Sequence, residues 1–217
     1  LVEGFPRPSL GSMQSKHLGA GDVPNYVTIG SAGYGPTYLG AEHGPFSIEN
    51  PDQARRLLRV IESRKSRIEL TRVLSADFDR THGSPEVQQR ISALERIEKL
   101  VDTPFSKSLN LEEEPESVRR RFGAEDNEFA RRMILARRLL QADVPFVEVA
   151  LGGWDTHENN FGNVSRLCRQ LDQPWAAMMD ELDATGLLDE TLVVWMGEFG
   201  RTPVINANRG RDHFPTV

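Results

Sequence analysis

Phe146-Val-Glu-Val-Ala-Leu151 runs directly into Gly152-Gly-Trp-Asp-Thr-His157, and further on Thr191-Leu-Val-Val-Trp-Met196 runs directly into Gly197-Glu-Phe-Gly-Arg-Thr-Pro203. Both apolar runs read as strands, and the near-continuous apolar character of the second predicts burial on both faces. Between them Val164, Leu167, Cys168, Leu171, Trp175, Met178 and Leu182 form one helical stripe over residues 163–184. Pro174 is predicted to kink or restart that helix and Gly186 to stop it. A strand–helix–strand crossover of this length makes its strands parallel with a right-handed connection. Both polar motifs then fall at one carboxyl edge of the sheet, where open α/β sheets bind ligands. The fold class is α/β.

Residues 143–217 are thus expected to be a β-α-β core carrying the site. Residues 1–50 are a Gly/Pro-rich segment with one short strand, Tyr26-Val-Thr-Ile29. The glycines that follow fit neither G-x-G-x-x-G nor a P-loop, so they read as a permissive loop. Residues 51–142 read as a helical flank or cap. Asn50-Pro51 starts one helix, and Leu57, Leu58, Ile61 and Ile68 follow at helical spacing. After a break at Thr81–Pro85, Val87, Ile91, Leu94, Ile97 and Val101 make a second stripe, which Thr103-Pro104 ends. Glu112–Glu116 reads as a solvated linker. A third helix runs from about Asn127 to Gln141, with Phe129, Met133, Ile134 and Leu140 inward and a solvated arginine face. All three segments are expected to build one domain.

The 217 residues carry 26 Lys+Arg against 32 Asp+Glu, a formal net charge of −6. That balance excludes a sequence-independent nucleic-acid binder, which needs a basic stripe. No apolar stretch approaches the roughly 20 residues of a membrane span. The single cysteine, Cys168, excludes an internal disulfide and a Cys-based zinc site, and its place in the stripe predicts a core position. The chain begins at Leu1, carries no signal peptide and closes shortly after an Asp-His pair. It is expected to be a piece of a longer protein.

Asp155 and His157 are two apart, so on extended backbone both side chains point to one side. Glu198 leaves the next predicted strand end, and Asp212-His213 returns over the same edge. Three carboxylates and two imidazoles without thiolate make an oxygen/nitrogen metal site. It suits Zn²⁺ or Mn²⁺ best, with Ca²⁺ and Mg²⁺ as alternatives. Glycines 152, 153, 197, 200 and 210 let backbone approach closely, and Arg201 and Arg211 could hold an anionic oxygen. Taken singly, each residue has a structural reading: a turn cap, a half-buried histidine, an Arg201–Glu198 ion pair. Their placement by topology at one edge favours function. His43 could approach the site, while His17 and His82 read as surface histidines. No serine occupies a nucleophile elbow.

Gly152–His157, the run Gly186–Pro203 and Gly210-Arg-Asp-His213 resemble the bacterial family catalogued as domain of unknown function 1501. Gly33-Tyr, Tyr38-Leu-Gly-Ala, Gly44-Pro-Phe46 and Arg121-Phe-Gly-Ala-Glu-Asp126 are similar too, so the resemblance covers most of the chain. That family is placed with the sulfatases in the alkaline-phosphatase-like superfamily. The resemblance implies a mixed, mainly parallel sheet flanked by helices, with metal ligands at strand ends. Asp155, His157, Asp212 and His213 match ligand positions, and Glu198 stands where the superfamily usually has Asp. The strand with the first acidic ligand and the nucleophile would lie upstream of Leu1. No nucleophile is identified in this chain.

The leading expectation is therefore a metal-dependent sulfatase/phosphatase-like hydrolase of small-molecule or glycan esters, exported to the periplasm or outside the cell, and inactive as this piece where the upstream nucleophile strand is required. The alternatives are a non-catalytic metal- or anion-dependent ligand- or glycan-binding protein on the same fold, and a purely structural domain.

Overall fold

The computed structural model describes residues 7–30, 35–60, 63, 103–197 and 199–214. They fall into two compact units: the described residues up to Glu114 with Leu135–Val149, and Pro115–Ile134 with the described residues from Ala150 on.

The first unit is built on a parallel sheet of order β2-β1-β3, with β1 Val27–Ile29, β2 Phe46–Ile48 and β3 Val147–Val149. Register pairs Val27 with Phe46 and Val147, and Ile29 with Ile48 and Val149. All three residues of the central strand are buried, as a strand with neighbours on both sides and apolar cover requires. Tyr26, just ahead of it, is 1 % exposed, stacks edge-on against Phe146 and donates its hydroxyl to Glu148 Oε2 at 2.8 Å. Helix α1 (Leu10–Leu18) starts at Ser9, whose hydroxyl accepts from the Ser12 amide. A side chain at Gly11 would enter the Tyr26 ring, with its Cβ 2.4 Å from Cε2, so the glycine is what lets helix and ring meet.

Residues 51–60 form α2 behind the Asn50 cap; the expected helical stripe over Val87–Val101 and the break before it lie outside the described residues. Thr103-Pro104 starts a helix, α3 (Pro104–Ser108), with a reciprocal Thr103–Ser106 capping box and proline in its first turn. The acidic run after it is solvated at Glu112, Glu113, Pro115 and Glu116 but anchored at its centre. Glu114 is 3 % exposed and accepts from Arg137 Nη2 and Arg138 Nη1, while Glu112 pairs with Arg55 at 2.6 Å. The arginine face of α5 (Glu128–Gln141) is correspondingly engaged, because a buried carboxylate needs charged partners. Phe129, Met133 and Ile134 are buried on that helix as expected, together with Ala130, Leu135, Ala136 and Leu139, while Leu140 is half-exposed.

In the second unit α4 (Glu116–Phe122) packs on α6 (Asn160–Ala184). Gln173 Nε2 donates to the Arg120 and Arg121 carbonyls that the end of α4 leaves open, and Arg121 pairs with Glu181 at 2.7 Å. Helix α6 runs unbroken through Pro174, which is buried along with Leu167, Met178 and Leu182. Cys168 lies one residue, about 100° of helix, from Leu167 and is exposed rather than in the core.

The largest departure is at Thr191–Met196, where no strand forms. The run leads away from α6 with Leu192, Val194, Trp195 and Met196 exposed, and Trp195 meets Trp175 at 5.0 Å. A β-prone run becomes a strand only when its backbone finds a ladder partner, and none is present among the described residues. The crossover expected between parallel neighbours is therefore not completed there. A two-stranded antiparallel ribbon follows instead, β4 (Gly200–Arg201) against β5 (His213–Phe214). The chain is thus α/β, with a small three-stranded parallel sheet and helices.

Candidate metal centre

The centre lies wholly in the second unit. Thr156 is buried and donates to Asn160 Oδ1 at 2.7 Å, so extended-chain alternation throws its neighbours Asp155 and His157 outward together. Across from them, the ribbon register sets Arg201 opposite His213.

Three atoms converge: Asp155 Oδ1 lies 3.0 Å from His157 Nε2 and 3.1 Å from His213 Nε2, and the two Nε2 atoms are 3.1 Å apart. This is a nearly equilateral triangle of atoms of the metal-ligating type, one each from Asp155, His157 and His213. Zinc bonds of about 2.0–2.1 Å in tetrahedral geometry put neighbouring ligands about 3.3 Å apart. The side chains present therefore fit three corners of such a site, and all three residues are exposed.

Asp212 is placed differently from its predicted role. Its Oδ1 accepts from His157 Nδ1 at 2.9 Å and from Asn206 Nδ2 at 3.1 Å, on the side of the imidazole away from the triangle. Both ring nitrogens of His157 face carboxylate oxygens, Nδ1 that of Asp212 at 2.9 Å and Nε2 that of Asp155 at 3.0 Å. Asp155 Oδ1 is shared with Arg201 and His213, which makes Asp212 the stronger acceptor and favours the proton on Nδ1. The hydrogen bond from His157, then that from Asn206, holds the Asp212 carboxyl below the usual range. Asp155 is lowered too, first by the hydrogen bond from Arg201 and then by that from His213.

Arg201 Nη1 donates to Asp155 Oδ1, the oxygen that forms one corner of the triangle, while its guanidinium lies 5.5 Å over the Phe199 ring. Phe199 in turn meets the His213 ring edge-on at 4.6 Å. Arg211 is not brought to the cluster among the described residues: its Nε is buried without a partner, and its backbone amide donates to Thr156. His43 sits beside Glu42 at 3.9 Å. Glu198 and His82 lie outside the described residues.

What aligns the two halves is a backbone seam. Arg211 N donates to Thr156 O and Asn160 N to Arg209 O, both at 2.8 Å, and Asn159 N donates to Asn208 O at 3.1 Å. Gly210 presses directly on the His157 peptide, where a Cβ would stand 1.7 Å from the carbonyl oxygen. Two residues of this seam that the motif reading passed over, Asn159 (φ 43°) and Arg209 (φ 60°), adopt left-handed backbone.

A family model described as "Protein of unknown function (DUF1501)" matches residues 3–217. The chain belongs to the DUF1501 family. No curated protein and no solved structure matches it. The three motifs that resembled DUF1501 members thus sit in a chain of that family, and two of them, Gly152–His157 and Gly210–His213, are the two sides of the seam. No helix among the described residues is long and apolar enough to cross a membrane.

Proposed function

We propose that this chain carries a divalent-metal centre serving sulfuric or phosphoric ester hydrolysis, in a chain of the alkaline-phosphatase-like kind. One observation carries the reading: a carboxylate oxygen and two imidazole nitrogens of exposed residues face one another at 3.0–3.1 Å. Asp155, His157 and His213 would hold the ion, and Asp212 orients His157 from behind, the arrangement in which a carboxylate fixes a ligating histidine. A bound ion would polarise an ester oxygen. Arg201, already beside the cluster, supplies the positive charge that an anionic ester needs next to it. The donor set favours Zn²⁺ or Mn²⁺, and two histidines with one carboxylate is equally the pattern of Fe²⁺ sites.

The hydroxyls that neighbour Asp155 and Arg201 in sequence are engaged in hydrogen bonds of their own. Thr156 donates to Asn160, and Thr202 Oγ1 accepts from the Asp212 amide while donating to Val204 O. That observation favours a second reading, a metal- or anion-dependent binding protein for small-molecule or glycan esters on the same fold. The family resemblance adds an exported location, which cell fractionation decides.

The experiment is metal content by elemental analysis after loading with Zn²⁺, Mn²⁺ or Fe²⁺ in turn, followed by turnover of aryl sulfate and aryl phosphate. One ion per chain, lost in His157→Ala and His213→Ala, with ester turnover by the loaded parent supports the hydrolase. One ion without turnover moves the assignment to binding. No stoichiometric ion, or equal uptake by both variants, sinks the centre.

A further inference from the structure

We infer that Asn206 is the positioning residue of this centre: through Asp212 it sets which nitrogen of His157 carries the proton, and so whether Nε2 presents a lone pair to Asp155 and His213. The consequence for metal affinity rests on the metal reading above; the consequence for the imidazole does not.

Asn206 uses its whole side-chain amide. Nδ2 donates to Asp212 Oδ1 and to the His157 carbonyl, both at 3.1 Å. Oδ1 accepts from the Asn208 and Gly210 amides, both at 2.9 Å. Two donors and two acceptors exhaust what a primary amide offers, and no other side chain of this length supplies both. One residue therefore ties together the turn 206–210, the backbone of His157 and the carboxylate behind the His157 ring.

The contact with Asp212 is the informative one. Asp212 is exposed, so nothing around it but hydrogen bonds holds its carboxylate at one angle. Its Oδ1 takes both the Asn206 donor and His157 Nδ1–H. Asp155 Oδ1 stands 3.0 Å from Nε2 and competes for the same proton, but it already accepts from Arg201 and meets His213. While Asp212 Oδ1 stays in place, the proton is therefore favoured on Nδ1 and Nε2 keeps its lone pair toward the triangle. If Asp212 Oδ1 swings away, the proton is free to move to Nε2, and the triangle loses a lone pair.

The test uses Asn206→Asp and Asp212→Ala, singly and together, in the full chain. Asn206→Asp keeps the acceptor for the Asn208 and Gly210 amides, removes both donors and sets a second carboxylate against Asp212. Two quantities are read. The first is the His157 tautomer of the metal-free protein, from ring ¹⁵N shifts at about pH 8, above the ordinary histidine range. The second is the Zn²⁺ dissociation constant. We expect the parent to be held as Nδ1–H, and Asn206→Asp and Asp212→Ala each to lose that exclusive form. Zinc affinity should fall about 10- to 100-fold in each, the usual cost of removing such support. The double variant should be no worse than Asp212→Ala alone, because Asn206 acts through Asp212. A parent His157 in the Nε2–H form, an unchanged tautomer in Asn206→Asp, or additive losses in the double variant would each overturn the inference. If the parent binds no zinc, the metal reading fails while the tautomer still decides this one. If Asn206→Asp melts far below the parent, Asp212→Ala, which leaves the turn intact, decides the tautomer.

Discussion

Substituting Gly210 by Ala tests the seam directly, because the new methyl group has nowhere to go. Its Cβ would lie 1.7 Å from the His157 carbonyl oxygen, 1.9 Å from the carbonyl carbon and 2.5 Å from the Glu158 nitrogen, all backbone atoms. Ordinary non-bonded contacts begin around 3.5 Å, so the two strands of backbone must part by well over an ångström. No side-chain rotation relieves it. The seam then stretches four hydrogen bonds: Arg211 N to Thr156 O, Asn160 N to Arg209 O, Asn159 N to Asn208 O and Asn206 Nδ2 to His157 O. At about 1 kcal/mol net for each bond lost, full opening costs about 4 kcal/mol. Partial opening with residual strain falls in the 1–3 kcal/mol range of overpacked sites. We expect Gly210→Ala to lose about 2–4 kcal/mol in urea unfolding followed by tryptophan fluorescence. Gly152→Ala is the control, since nothing lies within 4 Å of a Cβ there, and it should stay within about 0.5 kcal/mol of the parent. An unchanged midpoint for Gly210→Ala, or an equal loss in Gly152→Ala, would show that Gly210 does not pack against the His157 peptide.

Arg201→Ala should tighten Zn²⁺ binding a few-fold by calorimetry, because the guanidinium occupies the Asp155 oxygen an ion would take and exposed ion pairs are modest competitors; weaker binding would mean that Arg201 organises Asp155 instead. Burial first, and the hydrogen bond to Glu148 second, push the Tyr26 hydroxyl from 10.0 up to about 12. A value raised on folding contributes stability that is whole below pH 10 and lost as pH rises from 10 to 12, about 3 kcal/mol for two units. Tyr26→Phe should remove that slope from denaturant midpoints measured across the window, and a phenolate titration of Tyr26 centred near 10 in the folded protein would refute it.

The site was legible where chemistry followed from spacing within a few residues. Asp155 and His157 share a side because Thr156 between them turns inward, and a two-residue period in the sequence says as much. The pairing of that motif with Gly210–His213 was also legible, but the route to it was not. The apolar run Thr191–Met196 has every intrinsic feature of a buried strand, yet side-chain character sets only a preference, and hydrogen-bonding partners distant in sequence decide whether a strand forms. What brings the second motif in is the short ribbon and the 206–210 turn, whose Asn-Ala-Asn-Arg-Gly composition signals a turn without saying what the turn touches.

The same limit explains the two residues whose roles differ most from the motif reading. Asp212 carries the right chemistry for a ligand, and only three-dimensional placement shows that His157 stands between it and the triangle. Glycine identity was equally ambiguous: Gly152, Gly153 and Gly210 look alike in sequence. Structure separates an open position, a positive φ of 95° and a backbone-to-backbone contact. A motif therefore records which residues a site requires, while the reason for each resides in contacts its spacing does not encode. In this chain those contacts converge on the peptide between His157 and Glu158, where Gly210 packs, Asn206 donates and the imidazole that faces Asp155 and His213 begins. Moving that one peptide would displace His157 and loosen the hold of Asn206 on Asp212 together, so seam stability and His157 geometry are one physical property of this site.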